Sequence, residues 1–77
     1  MKIVIYTKDN CLFCVKAKVL FKIHSLEYTE YKVGEHITRE DFIFLFPEQK
    51  TLPLIFIDDE KLGGFNELRT YLTDKTA

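Results

Sequence analysis

The chain's residue pattern predicts an α/β fold in the order β-α-β-α-β-β-α. Three observations point there. Short apolar runs of strand character alternate with stretches of helical spacing. The helical stretches carry start or stop signals. The last two strands are parted only by a short acidic turn, as in a hairpin. Strands that alternate with helices and then close on a hairpin imply a four-stranded mixed sheet flanked by three helices. Seventy-seven residues make one small domain, residues 1–77, and 47% hydrophobic residues with seven Phe and four Tyr suffice for a packed core.

Each element has its own justification. Ile3, Val4 and Ile5 form a continuous apolar run, as in a strand covered on both faces. Thr7 to Asn10 is a polar loop, and Asn10 is a good N-cap type, so a helix is expected from about Cys11. Val15, Val19, Leu20 and Ile23 recur at helical spacing and define its expected inner face, with Lys16, Lys18 and Lys22 between them. Glu27 to Val33 alternates like a strand, and Gly34 ends it. Thr38 opens a capping-box-like pattern with Asp41, and a helix from Arg39 to Phe46 follows. Phe42, Leu45 and Phe46 fit one face of it, and Pro47 stops it. Pro53 to Ile57 is a second buried strand, Asp58 to Glu60 a turn, and Lys61-Leu62 starts the returning strand. Gly63-Gly64 breaks the pattern before a last helix, Asn66 to Thr73, with Leu68, Tyr71 and Leu72 inward.

A net charge of −1 implies no general surface for polyanions, so no nucleic-acid partner is expected. Lys8, Lys16, Lys18 and Lys22 cluster around the cysteines with Asp9 opposing them, and Lys18 and Lys22 read as a solvated helix face. The start MKIVIYTK reads as a buried strand and not a signal peptide. No apolar run approaches the ~18 residues of a membrane span. A cytoplasmic location without a membrane partner is therefore expected, and there structural disulfides are rare.

The only two cysteines, Cys11 and Cys14, form a C-x-x-C pair. A structural zinc site takes four ligands, usually as two pairs. His24 and His36 lie too far apart in sequence to be the second pair, read as solvated side chains, and no metal is expected. A permanent disulfide closing so short a loop constrains the unfolded chain little. Thiol–disulfide exchange remains, and the placement after a strand and at a helix start suits it. The unpaired N–H groups and partial positive charge of the helix start favour a thiolate on Cys11, and Lys8 adds to them. Cys14, one turn on, is expected deeper, as the thiol that resolves a mixed disulfide.

Three separated segments carry a family resemblance. Lys8-Asp9-Asn10-Cys11-Leu12-Phe13-Cys14 is similar to K-x-x-C-P-Y-C, Lys50-Thr51-Leu52-Pro53 to T-V-P, and Gly63-Gly64-Phe65-Asn66-Glu67-Leu68 to G-G-x-D-D-L. In this the chain resembles a glutaredoxin of the small phage or bacterial dithiol type. The resemblance implies a thioredoxin fold. It implies glutathione as reducing co-substrate, with Cys11 as nucleophile and Cys14 as resolving thiol. Pro53 would be a cis proline, and the Leu52 backbone would pair with the cysteinyl part of glutathione like an added strand. Thr51 matches the family's threonine. The γ-glutamyl carboxylate would lie on the N–H groups of Phe65 and Asn66, approached closely because of Gly63-Gly64. The glycyl carboxylate would meet Lys8, with help from Gln49 or Lys50, and Phe13 would line the groove or cover the cysteines.

The departures are Leu12 for the family's Pro, Phe13 for its Tyr and Asn66 for its Asp. They loosen the turn between the cysteines, remove a hydroxyl, and remove a charge near the glutathione ammonium. The resemblance implies a monomeric enzyme that reduces protein disulfides and glutathione mixed disulfides, and family analogy offers ribonucleotide reductase as a recipient of its electrons. Two alternatives share the fold. A redoxin recharged by thioredoxin reductase would lack the Gly-Gly-x-Asp ending, which Gly63 to Asn66 approximates. A glutathione-ligated iron–sulfur carrier would usually lack Cys14.

Overall fold

The computed structural model describes the backbone of residues 1–76 and the side chains of residues 1–74. Its elements follow the expected order: β1 Ile3–Thr7, α1 Leu12–Ile23, β2 Thr29–Lys32, α2 Arg39–Leu45, β3 Leu54–Ile57, β4 Glu60–Gly63 and α3 Phe65–Thr76. The sheet order is β2-β1-β3-β4. β1 and β2 are parallel, with Ile5 opposite Glu30, whereas β3 is antiparallel to both β1 and β4. This is the mixed sheet that the alternating pattern implies.

β1 shows why both sheet faces are covered. Side chains alternate along a strand, so Ile3 and Ile5 face one way and Tyr6 the other. On the first face Ile3, Ile5, Ile55 and Ile57 meet Ala17 and Phe21 of α1 and Leu68 and Leu72 of α3. On the second, the Tyr6 ring lies 5.5 Å from Phe42 and 5.2 Å from Phe46, which seats α2 on an aromatic layer.

α1 faces the sheet differently from the expectation. Cys14, Ala17 and Phe21 are its buried residues, while Val15, Val19 and Ile23 are 52%, 48% and 67% exposed. The helix has apolar residues on two opposite sides, so periodicity alone does not orient it. The side with Ala17 wins because a methyl lets the helix lie close to the sheet and Phe21 fills the space beyond. Its start also differs. Asn10 sits at φ 56°, and the N-cap is Cys11, whose sulfur accepts the Cys14 N–H. Its end is a Schellman turn with Ser25, not glycine, at φ 55°. There Leu26 N–H reaches Phe21 O at 2.8 Å, and Ser25 N–H reaches Lys22 O at 3.1 Å.

The remaining boundaries shift by a few residues. β2 is shorter than Glu27 to Val33. Tyr28, before it, packs its ring 4.9 Å from Phe21, and Val33, after it, bridges Ile37. α2 is capped as expected, with Asp41 N–H donating to Thr38 Oγ1 at 3.0 Å, but it ends at Leu45. In so short a helix only Phe42 and Phe46, four apart, share the inner face, and Leu45 is exposed. The β3–β4 turn places Asp58 and Asp59 at φ 51° and 68°, the primed geometry of a two-residue hairpin. Lys2 ties it down: its backbone N–H donates to Asp58 Oδ1 at 2.8 Å, and its Nζ lies 3.2 Å from Asp59 Oδ1. α3 begins one residue earlier than expected, and Leu68 and Leu72 are buried in it as expected. None of the helices described is long and apolar enough to cross a membrane.

Candidate active site

Three chain segments meet at one end of the sheet: the loop after β1, the loop before β3 and the link from β4 to α3. The first carries the cysteines. Cys11 and Cys14 form a disulfide with a Cα–Cα distance of 5.2 Å. Cys14 is 2% exposed, and Cys11, ahead of the helix, is half-buried. The Cys14 N–H lies 3.2 Å from Cys11 Sγ. That N–H belongs to the first turn of α1 and has no intrahelical acceptor. Sulfur on Cys11 therefore receives a hydrogen bond and the positive end of the helix dipole, both of which favour its thiolate.

The second segment holds Leu52-Pro53, whose peptide bond is cis, as the T-V-P likeness implies. Leu52 O lies 3.6 Å from Cys11 Sγ, so the backbone before the proline runs directly beside the outer sulfur. The Gln49 side chain braces this loop, with Nε2 donating to Thr51 O at 2.7 Å. A groove of about 590 Å³ opens alongside, and Lys8, Gln49, Lys50, Thr51 and Leu52 all line it. Arg39, the first residue of α2, lines it too. Arg39 lies outside the three family-like segments. The available signal was a cation at a helix start, where the macrodipole disfavours one.

The third segment lies against the second, where a Cβ on Gly64 would come within 3.5 Å of Pro53 O. Gly64 N–H donates to Glu67 Oε1 at 2.8 Å, so Glu67 closes the start of α3 as in a capping box. Gly63 has φ +129°, and a Cβ there would come within 2.8 Å of Glu67 Cγ. A side chain would therefore displace the cap. Phe13 is half exposed and does not line the groove. Its ring lies 5.7 Å from that of Phe65, and Lys16 Nζ sits 5.2 Å from the Phe13 ring centre. Phe13 thus links the cysteine helix to the start of α3, next to exposed Asn66.

Behind the cysteines lies a small charged network. Thr7 is 1% exposed, and its hydroxyl donates to Glu30 Oε2 at 2.6 Å. Lys18 Nζ lies 3.1 Å from the same oxygen. Lys18 is therefore held in an ion pair, not solvated as its sequence context suggests. The Thr7 hydrogen bond, followed by Lys18, holds the Glu30 carboxyl below the usual range despite partial burial. Asp9 pairs with Lys32 at 3.1 Å, leaving Lys8 without its sequence neighbour. His36 also has a structural task, since its Nδ1 accepts the Lys32 N–H at 2.9 Å. Among the described residues, no three His, Cys, Asp or Glu gather as a metal-binding group.

Comparison with known proteins agrees with this geometry. Residues 3–62 match the glutaredoxin family model. A probable glutaredoxin of Synechocystis sp. (strain PCC 6803) is 38% identical over 68 residues, covering 87% of this chain and 77% of that protein. The crystal structure of glutaredoxin 1 from Francisella tularensis superposes with a TM-score of 0.83 at 32% identity, covering 97% of this chain and 95% of that one. A buckwheat glutaredoxin–glutathione complex shares the fold, with a TM-score of 0.78 at 20% identity over 95% of this chain and 69% of that one. With its cysteine pair at the start of α1 and its mixed sheet in the thioredoxin-fold order, the chain belongs to the glutaredoxin family, whose members are thiol–disulfide oxidoreductases.

Proposed function

We propose that this chain, acting as a single-domain monomer, is a glutathione-dependent oxidoreductase that reduces protein disulfides and glutathione mixed disulfides. The observation that carries the reading is the position of Cys11 Sγ, which accepts a helix-start N–H and lies 3.6 Å from Leu52 O. In the dithiol form the Cys11 thiolate attacks one sulfur of the substrate disulfide. A Cys11–substrate bond forms, and the other substrate sulfur leaves as a thiolate and takes a proton. Cys14 then loses its proton and attacks Cys11 Sγ, which releases the second substrate thiol and leaves the Cys11–Cys14 disulfide. Two glutathione molecules restore the dithiol and depart as glutathione disulfide.

Glutathione is assigned to the strip along Leu52, with its cysteinyl backbone beside that residue and its sulfur facing Cys11. Thr51 and cis Pro53 hold the strip in place. Its glycyl carboxylate meets Lys8. Its γ-glutamyl carboxylate meets the N–H groups of Phe65 and Asn66, because Glu67 takes up the Gly64 N–H and leaves theirs for the ligand. Phe13 walls that end through its contact with Phe65. The buckwheat glutaredoxin–glutathione complex, of the same fold, supports the choice of ligand. A cytoplasmic location and ribonucleotide reductase as an electron acceptor follow family analogy.

Two serine variants test the division of labour. Cys11→Ser is expected to abolish both activities. Cys14→Ser keeps reduction of glutathione mixed disulfides, which needs one thiol, and loses most dithiol reduction of protein disulfides. Equal loss of both activities in Cys14→Ser would contradict the resolving role.

A further inference from the structure

The groove beside Leu52 carries more positive charge than one carboxylate needs. Among the described residues, Lys8, Arg39 and Lys50 line it and no Asp or Glu does. The chain as a whole has 12 acidic side chains and a net charge of −1, so an acid-free wall of three cations is a local departure. The ion pairs among the described residues use Lys2, Lys18 and Lys32 instead. Arg39 has no helical reason to be where it is. As the first residue of α2 it opposes the macrodipole, which Glu40 and Asp41 beside it complement without lining the groove. Val33, Phe42, Ile43 and Pro47 line the same groove, so it pairs apolar surface with the cations. That combination suits an extended peptide better than a small anion.

We propose that this groove selects protein substrates whose reactive cysteine is followed in sequence by acidic residues. The polarity rests on the glutathione reading above. The residue after cysteine in glutathione is assigned to Lys8, so a longer substrate continues into the groove that also holds Lys50 and Arg39. The exchange chemistry is unchanged; the carboxylates raise the rate by holding the substrate cysteine at Cys11 Sγ.

Single-turnover reduction by the purified, pre-reduced protein tests this without any glutathione present. The substrates are three short peptides of equal length, each with its one cysteine blocked as a mixed disulfide with 2-mercaptoethanol. One carries Asp and Glu after the cysteine, one carries them before it, and one carries alanines. The acid-after peptide is expected to react about tenfold faster than the alanine peptide at low salt. Arg39→Gln and Lys50→Gln each narrow that ratio about two- to fivefold, and about 0.5 M salt largely abolishes it. Equal rates for the acid-after and alanine peptides would overturn the proposal. So would an equal gain from acids before the cysteine, or an unchanged ratio in both variants. The glutathione reading is judged separately, by turnover of hydroxyethyl disulfide with glutathione and glutathione reductase. Failure there with the acidic preference intact would sink the glutathione reading and leave the groove's selectivity supported.

Discussion

Glu30 holds two neighbours at once. The buried Thr7 hydroxyl and the Lys18 ammonium both bind its Oε2, and together they keep its carboxyl deprotonated to lower pH than in the unfolded chain. Between the two pKa values the unfolded state therefore binds more protons, and stability rises with pH. The contribution is complete above the ordinary Glu value of about 4.3 and is lost as pH falls towards the depressed one. Glu30→Gln should flatten the acid limb of a stability curve taken by urea unfolding from about pH 6 to pH 3. Curves that fall in parallel for the two proteins would remove Glu30 from the acid response. This network is hard to read in sequence, because Thr7, Lys18 and Glu30 lie on three different elements and meet only when β1 pairs with β2 and α1 packs on the sheet.

The helix that carries the cysteines is only partly legible in the sequence. Its existence, length and direction are legible in its helix-forming residues and in Lys22 at its last turn. Its orientation is not, because apolar side chains occupy both of its sides and only the sheet selects between them. Phe21→Ala is predicted to cost about 3–5 kcal/mol, since the ring is fully buried. Val19→Gln, four-residue periodicity notwithstanding, should change stability by less than about 0.5 kcal/mol, since Val19 is half exposed. Chemical denaturation of the two variants decides it, and a large loss for Val19→Gln would reverse the assignment of the inner face. The turn that follows α1 is not legible either, because Ser25 does there what glycine usually does. By contrast the Thr38 cap and the Pro47 stop announce α2 plainly.

Across the whole molecule, the mixed sheet brings segments some 40 residues apart in sequence to one end, where Leu52 O meets Cys11 Sγ. The order of elements is legible from alternation alone, and so is the chemistry of the C-x-x-C pair at a helix start. The three family-like segments are likewise visible in the sequence, and the fold brings them together at that end. The place of Arg39 is not visible there, because it joins the groove only when α2 docks on the aromatic layer around Tyr6. The proposed function rests on the claim that this site takes its electrons from glutathione. The most direct measurement follows NADPH consumption with a disulfide substrate in two parallel reactions. One contains glutathione and glutathione reductase, the other thioredoxin reductase alone. Turnover in the first that is lost in Cys11→Ser is the predicted result. Turnover only in the second would contradict the claim.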